Sequence, residues 1–278
     1  MIAINNMSFA YKSKTVFNGL DLQIAKGGIY GLLGLNGSGK STLLYLMCGL
    51  LRPKMGEIMV KNTNVALRRP SVLSDIYIVP EEFELPALTL RKYVSINSKF
   101  YPNFSMNILE KSLNAFNMDM DMNFATSSMG QRKKAFLCFA MATNTSLLLM
   151  DEPTNGLDIP SKSMFRKAVA ECMTDERTII ISTHQVRDIE NMLDRILIID
   201  DSRLLLDASM SQIASKLTMQ PIRERVASSD ALFSMQIGLE SYEVLPNEGT
   251  HEETPINIEM LFNAVLANKE RIHEIFNN

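Results

Sequence analysis

The chain is short of cysteine, of histidine and of charge imbalance. Its three cysteines in 278 residues, Cys48, Cys138 and Cys172, sit singly in apolar or helical surroundings. They have neither metal-ligand spacing nor the pattern of a disulfide framework, and are expected as reduced core residues. A formal charge of -3 leaves no overall basic footprint, which counts against nucleic acid as the main partner. No stretch reaches the about 18 uninterrupted apolar residues that read as a membrane span. The most apolar candidate, residues 135–150, is broken by TNTS. The opening MIAINNMSFAYKSK lacks the cationic start and apolar block of a secretory signal. Repeats and low-complexity tracts are missing too. These absences leave a cytosolic globular protein with a sizeable core, which enters no membrane by itself.

The first third alternates strand-like and turn-like pieces: MIAINNMSFAY, LDLQI and GGIYGLLGL, the last running into a Gly-rich loop. KSTLLYLMCGL then has helix composition. From about Thr89 to Thr143 the pattern becomes helical, with breaks expected at YPNFS and near DMDMNFATSS. SLLLMDEPTNGLD, TIIISTH and RILIID supply three buried-strand-like runs, separated by helical stretches PSKSMFRKAVAECM and HQVRDIENML. Strands alternating with helices imply an α/β fold with a mostly parallel core sheet, here carrying an inserted helical lobe. Residues 218–278 read as a small C-terminal appendage after a main domain of residues 1–217. One amphipathic helix is expected from Asn257 to Phe276, with Ile258, Leu261, Phe262, Val265, Leu266, Ile272 and Phe276 at helical spacing.

GLNGSGKST, residues 34–42, matches G-x-x-x-x-G-K-[ST] between a strand and a helix, the context a phosphate loop requires. Asn36, Gly37, Ser38, Gly39, Lys40, Ser41 and Thr42 form the cradle. Glycines let backbone N–H groups converge on phosphates, Lys40 reaches the terminal ones as a point charge, and the Ser41 hydroxyl is a ligand for Mg²⁺. LLLMDEP places two carboxylates after a buried strand, at the carboxyl edge of a parallel sheet. Asp151 is then the Mg²⁺ partner, through water, and Glu152 the general base for an attacking water. His184 follows TIIIST at that same edge, while His251 and His273 read as ordinary surface residues. Together the two motifs read as a nucleoside-triphosphate hydrolase.

A second anion site is written at TSSMGQRKKAF, where Ser128 and Gln131 fit the S/T-x-x-E/Q capping box and three cations follow. Most such boxes only satisfy backbone donors, so the cap gains meaning from its company. GLNGSGKST, SSMGQ, LLLMDEPTNGLD and STH, in that order, resemble the ATP-binding subunit of an ABC transporter across roughly residues 1–215. The resemblance implies a P-loop NTPase fold of ABC type, with ATP and Mg²⁺ as ligands. It also assigns roles. Tyr11 of SFAYKSK matches the aromatic that stacks on adenine, Ser128, Gly130 and Gln131 the signature motif, Asp158 the residue linking two sites, and His184 the holder of the terminal phosphate. In that family two nucleotide-binding domains face each other, and the signature helix of one closes over ATP held by the other. The resemblance therefore implies a homodimer, a separate transmembrane permease as further partner, no nucleic acid, and a place on the inner face of the cell membrane.

Two motifs depart from the family pattern. Ser127 and Met129 replace the leucine and first glycine of L-S-G-G-Q, and Glu81 of IYIVPEEFELP stands where the family carries glutamine, a change that either keeps an oxygen ligand or, with Glu81 rather than the neighbouring Glu82 facing inward, places a carboxylate beside the metal. The compact lobe and appendage are more similar to two-component exporters than to nutrient importers. The rival class, a soluble ABC ATPase clamping ribosome or DNA, is disfavoured because the chain carries one such domain and no long coiled coil.

Overall fold

A computed structural model describes residues 1–222, 228–247 and 254–277; His251 lies outside them. The central sheet has six strands: β3 Gly28–Leu33, β6 Ile76–Val79, β7 Leu147–Asp151, β8 Thr178–Thr183, β9 Arg195–Asp200 and β10 Arg203–Ser209. Their order is β10-β9-β3-β8-β7-β6, parallel throughout except for the antiparallel edge strand β10. A second, four-stranded sheet joins β1 Ile2–Tyr11, β2 Lys14–Ile24, β4 Met55–Val60 and β5 Thr63–Asn64, all antiparallel. Strand-like pieces were legible there, but not their assembly into a separate sheet.

The apolar runs of the central strands conceal a period of two, because both faces are covered. Leu147 and Leu149 face the antiparallel sheet and helix α1 Lys40–Met47, in a core with Phe17, Leu43 and Leu44. Leu148 and Met150 face the other way, into a core shared with the lobe. After the short helix α2 Pro70–Leu73, the lobe carries α3 Leu90–Asn97, α4 Met106–Ala115 and α5 Met129–Ala142. Each lobe helix begins on a hydroxyl cap: Thr89, Ser105 and Ser128 accept from Lys92, Ile108 and Gln131 backbone N–H groups. YPNFS falls in the break between α3 and α4. Helix α6 Ile159–Glu171 follows β7.

HQVRDIENML is not an α-helix but two 3₁₀ turns, Val186–Asp188 and Glu190–Met192. Helix α6 holds this segment in place of its own ladder: Lys162 pairs with Asp188 at 2.7 Å, and Arg166 donates to the Asp188 carbonyl at 3.0 Å.

Helix α7 Met210–Lys216 leads into a three-stranded antiparallel sheet of β11 Leu217–Pro221, β12 Phe233–Ile237 and β13 Glu240–Pro246, in the order β11-β13-β12. The expected single helix over 257–276 is two, α8 Ile258–Ala267 and α9 Lys269–Asn277. The chain leaves helical geometry at Asn268, whose side-chain amide donates to the Leu232 carbonyl. Ile258, Leu261, Val265 and Ile272 are buried in the same core as Ile198 and Leu206 of the central sheet. The apolar stripe is therefore covered by its own chain.

Candidate functional site

The loop between β3 and α1 is shaped by close backbone approach. A Cβ on Gly34 would lie 2.6 Å from the Ile199 carbonyl, so only glycine lets the loop leave β3 beside β9. Gly39 caps α1 with a φ of 105°, a conformation glycine adopts without strain. The Lys40 ammonium folds back across the loop and donates to the carbonyls of Gly34 at 2.9 Å and Leu35 at 3.3 Å. Burial lowers its pKa from the ordinary lysine range, and the carboxylates of Glu152, Asp151 and Glu81 pull the other way. The Ser38 amide closes a turn onto the Leu35 carbonyl at 3.1 Å, while its buried hydroxyl has no partner among the described residues.

Asp151 ends β7 almost wholly buried and accepts a short hydrogen bond from the Ser182 hydroxyl on β8. The next residue, Glu152, has a left-handed backbone with φ 46°, uncommon for a side chain of this kind. Its amide donates to the Ser182 carbonyl at 3.0 Å, and its carboxylate meets His184 just past the end of β8. Parallel register carries this out, since Asp151 stands opposite Ser182.

Tyr11, Asn36, Gly37, Gly39, Lys40, Ser41, Thr42, Glu81, Glu152 and His184 all line one cleft of about 470 Å³. Tyr11 is half exposed at its rim, edge-on to Phe9, with its hydroxyl 3.4 Å from the Thr42 Oγ1. Glu81 reaches the cleft while Glu82 does not, and its Oε1 accepts from the Asn155 amide at 2.9 Å. Ser38 and Asp151 stand behind the lining rather than in it.

Four expected residues are not brought to this cleft. Ser128, Gly130 and Gln131 start α5 elsewhere on the surface, and Asp158 caps α6 by accepting from the Ser161 amide at 2.9 Å. The capping box is complete: Gln131 N–H donates to Ser128 Oγ at 3.2 Å, and Ser128 N–H to Gln131 Oε1 at 2.9 Å. Met129 is 59% exposed.

Sequence reasoning missed Lys133. This lysine, 5% exposed, points from α5 under the loop that follows β7 and donates to the carbonyls of Glu152 at 3.0 Å and Asn155 at 2.8 Å. Burial lowers its pKa, against the pull of Glu81, Glu152 and Asp151. Its only signal was its place among three cations, two of which are solvated at least in part.

The arrangement suits a nucleoside triphosphate with a hard cation. Among the described residues no three of His, Cys, Asp and Glu gather to hold a metal alone. The oxygen donors on offer are the Ser41 hydroxyl and flanking carboxylates, a partial set of the kind Mg²⁺ completes with phosphates and water.

Residues 17–155 match the profile of the ABC transporter family. The chain is 30% identical over 210 residues to the ABC transporter ATP-binding protein YtrB of Bacillus subtilis, covering 73% of this chain and 70% of the relative. It is 27% identical over 225 residues to the Nod factor export ATP-binding protein I of Rhizobium etli, covering 78% and 70%. Among solved structures it is similar to an ATP-binding subunit of an ABC transporter, with a TM-score of 0.69 at 24% identity over 77% of this chain and 91% of that one. A dimeric, post-hydrolysis ATP-binding cassette bound to ADP and Pi gives 0.67 at 22% identity, covering 76% and 99%. These last two likenesses are of fold.

Proposed function

Because the chain belongs to the ABC transporter family, we propose that it is the ATP-hydrolysing subunit of a transporter, working as a pair of copies that close on two shared nucleotides. One observation carries the shared-site reading. The cleft gathers a cradle, a base and a histidine, while a second anion-ready helix start, at Ser128, stands exposed and away from it. A helix start with free N–H groups and a capping hydroxyl suits a phosphate brought by a second copy.

At the cleft, Asn36, Gly37 and Gly39, with Ser38 behind them, supply backbone donors, Lys40 the charge on the terminal phosphates, and Tyr11 the face for the base. Ser41, with Glu81 and, through water, Asp151, would hold Mg²⁺, which neutralises phosphate charge when bound. Glu152 takes the proton of the attacking water, and His184 orients that carboxylate and the terminal phosphate. Ser128, Gly130 and Gln131 meet the phosphate across the dimer, and Asp158 stands at the same junction.

No helix among the described residues is long and apolar enough to cross a membrane, so the reading places the conduit on a separate permease. Phe100, Met106 and Ile96, exposed on the helical lobe, suit such a contact. We assign export as the direction, on the likeness to a relative named for Nod factor export. The main ATPase unit is taken as residues 1–217 and the appendage as 218–278.

The test mixes two inactive proteins, Lys40→Ala and Ser128→Arg. Each should hydrolyse ATP poorly alone, and the mixture should regain activity through one intact site per heterodimer. A mixture as inactive as its components would refute shared sites, and a Glu152→Gln protein that turns over at the parent rate would refute the hydrolysis scheme.

A further inference from the structure

The His184 segment has little structure of its own. It leaves β8 and passes through the 3₁₀ turn Val186–Asp188, too short to hold itself. Two helices hold it through side chains. Helix α6 does so through Lys162, which also reaches the Gln185 side chain at 3.3 Å. The second hold comes from the appendage: Arg187 donates from Nη2 and Nε to Glu259 Oε2 on α8, at 2.6 and 3.0 Å.

One turn further along α8, Phe262 lines a mostly apolar cavity of about 370 Å³ with Leu33, Leu35, Val186 and His184. A single ring thus borders both the start of the phosphate loop and the histidine. The ring and the ion pair are thus the contacts by which α8 meets this segment.

We infer that Glu259 and Phe262 are positioning residues for His184, so that the appendage sets the rate of ATP turnover; the inference rests on the hydrolysis scheme above. The weakness of the ion pair is informative. The Arg187 side chain is largely solvated and that of Glu259 partly so, and such pairs add little to global stability. Breaking this one leaves the fold intact but frees a residue three positions from His184. The geometry of a reacting group is far more sensitive to small displacements than stability is.

The experiment uses the full chain with Arg187→Gln, Glu259→Gln, Phe262→Ala and Phe262→Leu, and the charge-swapped double variant Arg187→Glu with Glu259→Arg. Steady-state hydrolysis should show kcat lowered about 3- to 10-fold in the Gln and Ala variants with KM for ATP unchanged. The swap should recover most of the loss, and Phe262→Leu should fall between parent and Ala. Amide exchange at residues 184–188 should quicken in the same order. Melting temperatures near the parent's establish that folding is intact. Parent-like kcat and exchange in both Arg187→Gln and Phe262→Ala, or an unrecovered loss in the swap, would overturn the inference. Glu152→Gln separates the two levels. If it too keeps the parent rate, the hydrolysis scheme has failed and takes this inference with it; if it is inactive while the α8 variants match the parent, only the positioning role is lost.

Discussion

His184 Nδ1 lies 2.7 Å from Glu152 Oε1, and the His184 backbone N–H donates to that same oxygen at 3.1 Å. One carboxylate oxygen is therefore held by two groups of a single residue on the neighbouring strand end. The same N–H reaches the other oxygen, Oε2, only at 3.4 Å, so the two oxygens are held unequally.

Replacing the histidine tests this division. His184→Ala keeps the backbone bond and loses the ring, so Glu152 stays near but swings. We expect ATP binding within a few-fold of the parent and single-turnover hydrolysis slower by about 10²-fold. A fall in affinity without a fall in the single-turnover rate would reduce His184 to a phosphate ligand.

Lys133 makes a second prediction. Lys133→Met removes the donor that joins the Glu152 and Asn155 carbonyls and leaves both less satisfied. The change should cost about 1–3 kcal/mol in denaturant unfolding. It should also slow hydrolysis, because the loop so held carries Glu152, the proposed base. An unchanged unfolding midpoint together with unchanged turnover would show that the two carbonyls find water as readily.

What the sequence disclosed and what it hid divide along sequence separation. GLNGSGKST and the Ser128 cap were legible because each is a device of a few adjacent residues, with its chemistry and its backbone demand in one stretch. The runs 147–151, 178–183 and 195–200 were legible as strands because burial on both faces leaves no polar alternation. Lys133 and Asn155 were not, since Lys133 meets the Glu152 carbonyl across 19 residues and Asn155 meets Glu81 across 74. The segment 184–193 looked helical because apolar spacing reports a buried face, and a pair of 3₁₀ turns clamped by Lys162 and Arg166 buries one too. The same spacing ran through Asn268 without a sign that its side chain had a partner at Leu232.

Glu81→Gln isolates a charge. The glutamine amide offers Asn155 the same acceptor, so the contact survives while the negative charge goes. Metal-free ATP should bind more tightly to the variant, and hydrolysis should depend less steeply on Mg²⁺. Superimposable Mg²⁺ titrations with equal metal-free affinity would place Glu81 outside the metal's reach.

Lys40 gives the pH dependence. Burial holds its ammonium below the ordinary lysine range, against the pull of Glu152, Asp151 and Glu81. Phosphates favour the charged form, so binding raises the pKa and takes up a proton only where the free lysine has begun to lose its own. The Lys40 contribution is then complete at neutral pH and lost as pH rises through the depressed range of the free protein. Equilibrium titrations should show ATP affinity falling before the ordinary lysine pKa of about 10.4 is reached. In Lys40→Ala that fall should vanish. A parent affinity that stays flat up to the ordinary range would contradict the shift.

The pairing of Gly28–Leu33 with Thr178–Thr183 has a consequence for the order of manufacture. The strand that launches the phosphate loop is made early, yet its neighbours on both sides, Thr178–Thr183 and Arg195–Asp200, are translated after the whole helical lobe. On a ribosome the lobe emerges while the loop before it still lacks its flanking strands. A nascent chain halted before about residue 200 has the motif but not the sheet edge that aims it, so nucleotide should neither stabilise the growing chain nor be consumed by it until the last parallel strand arrives. The growing protein would in this way be kept from hydrolysing ATP until its parallel sheet has closed.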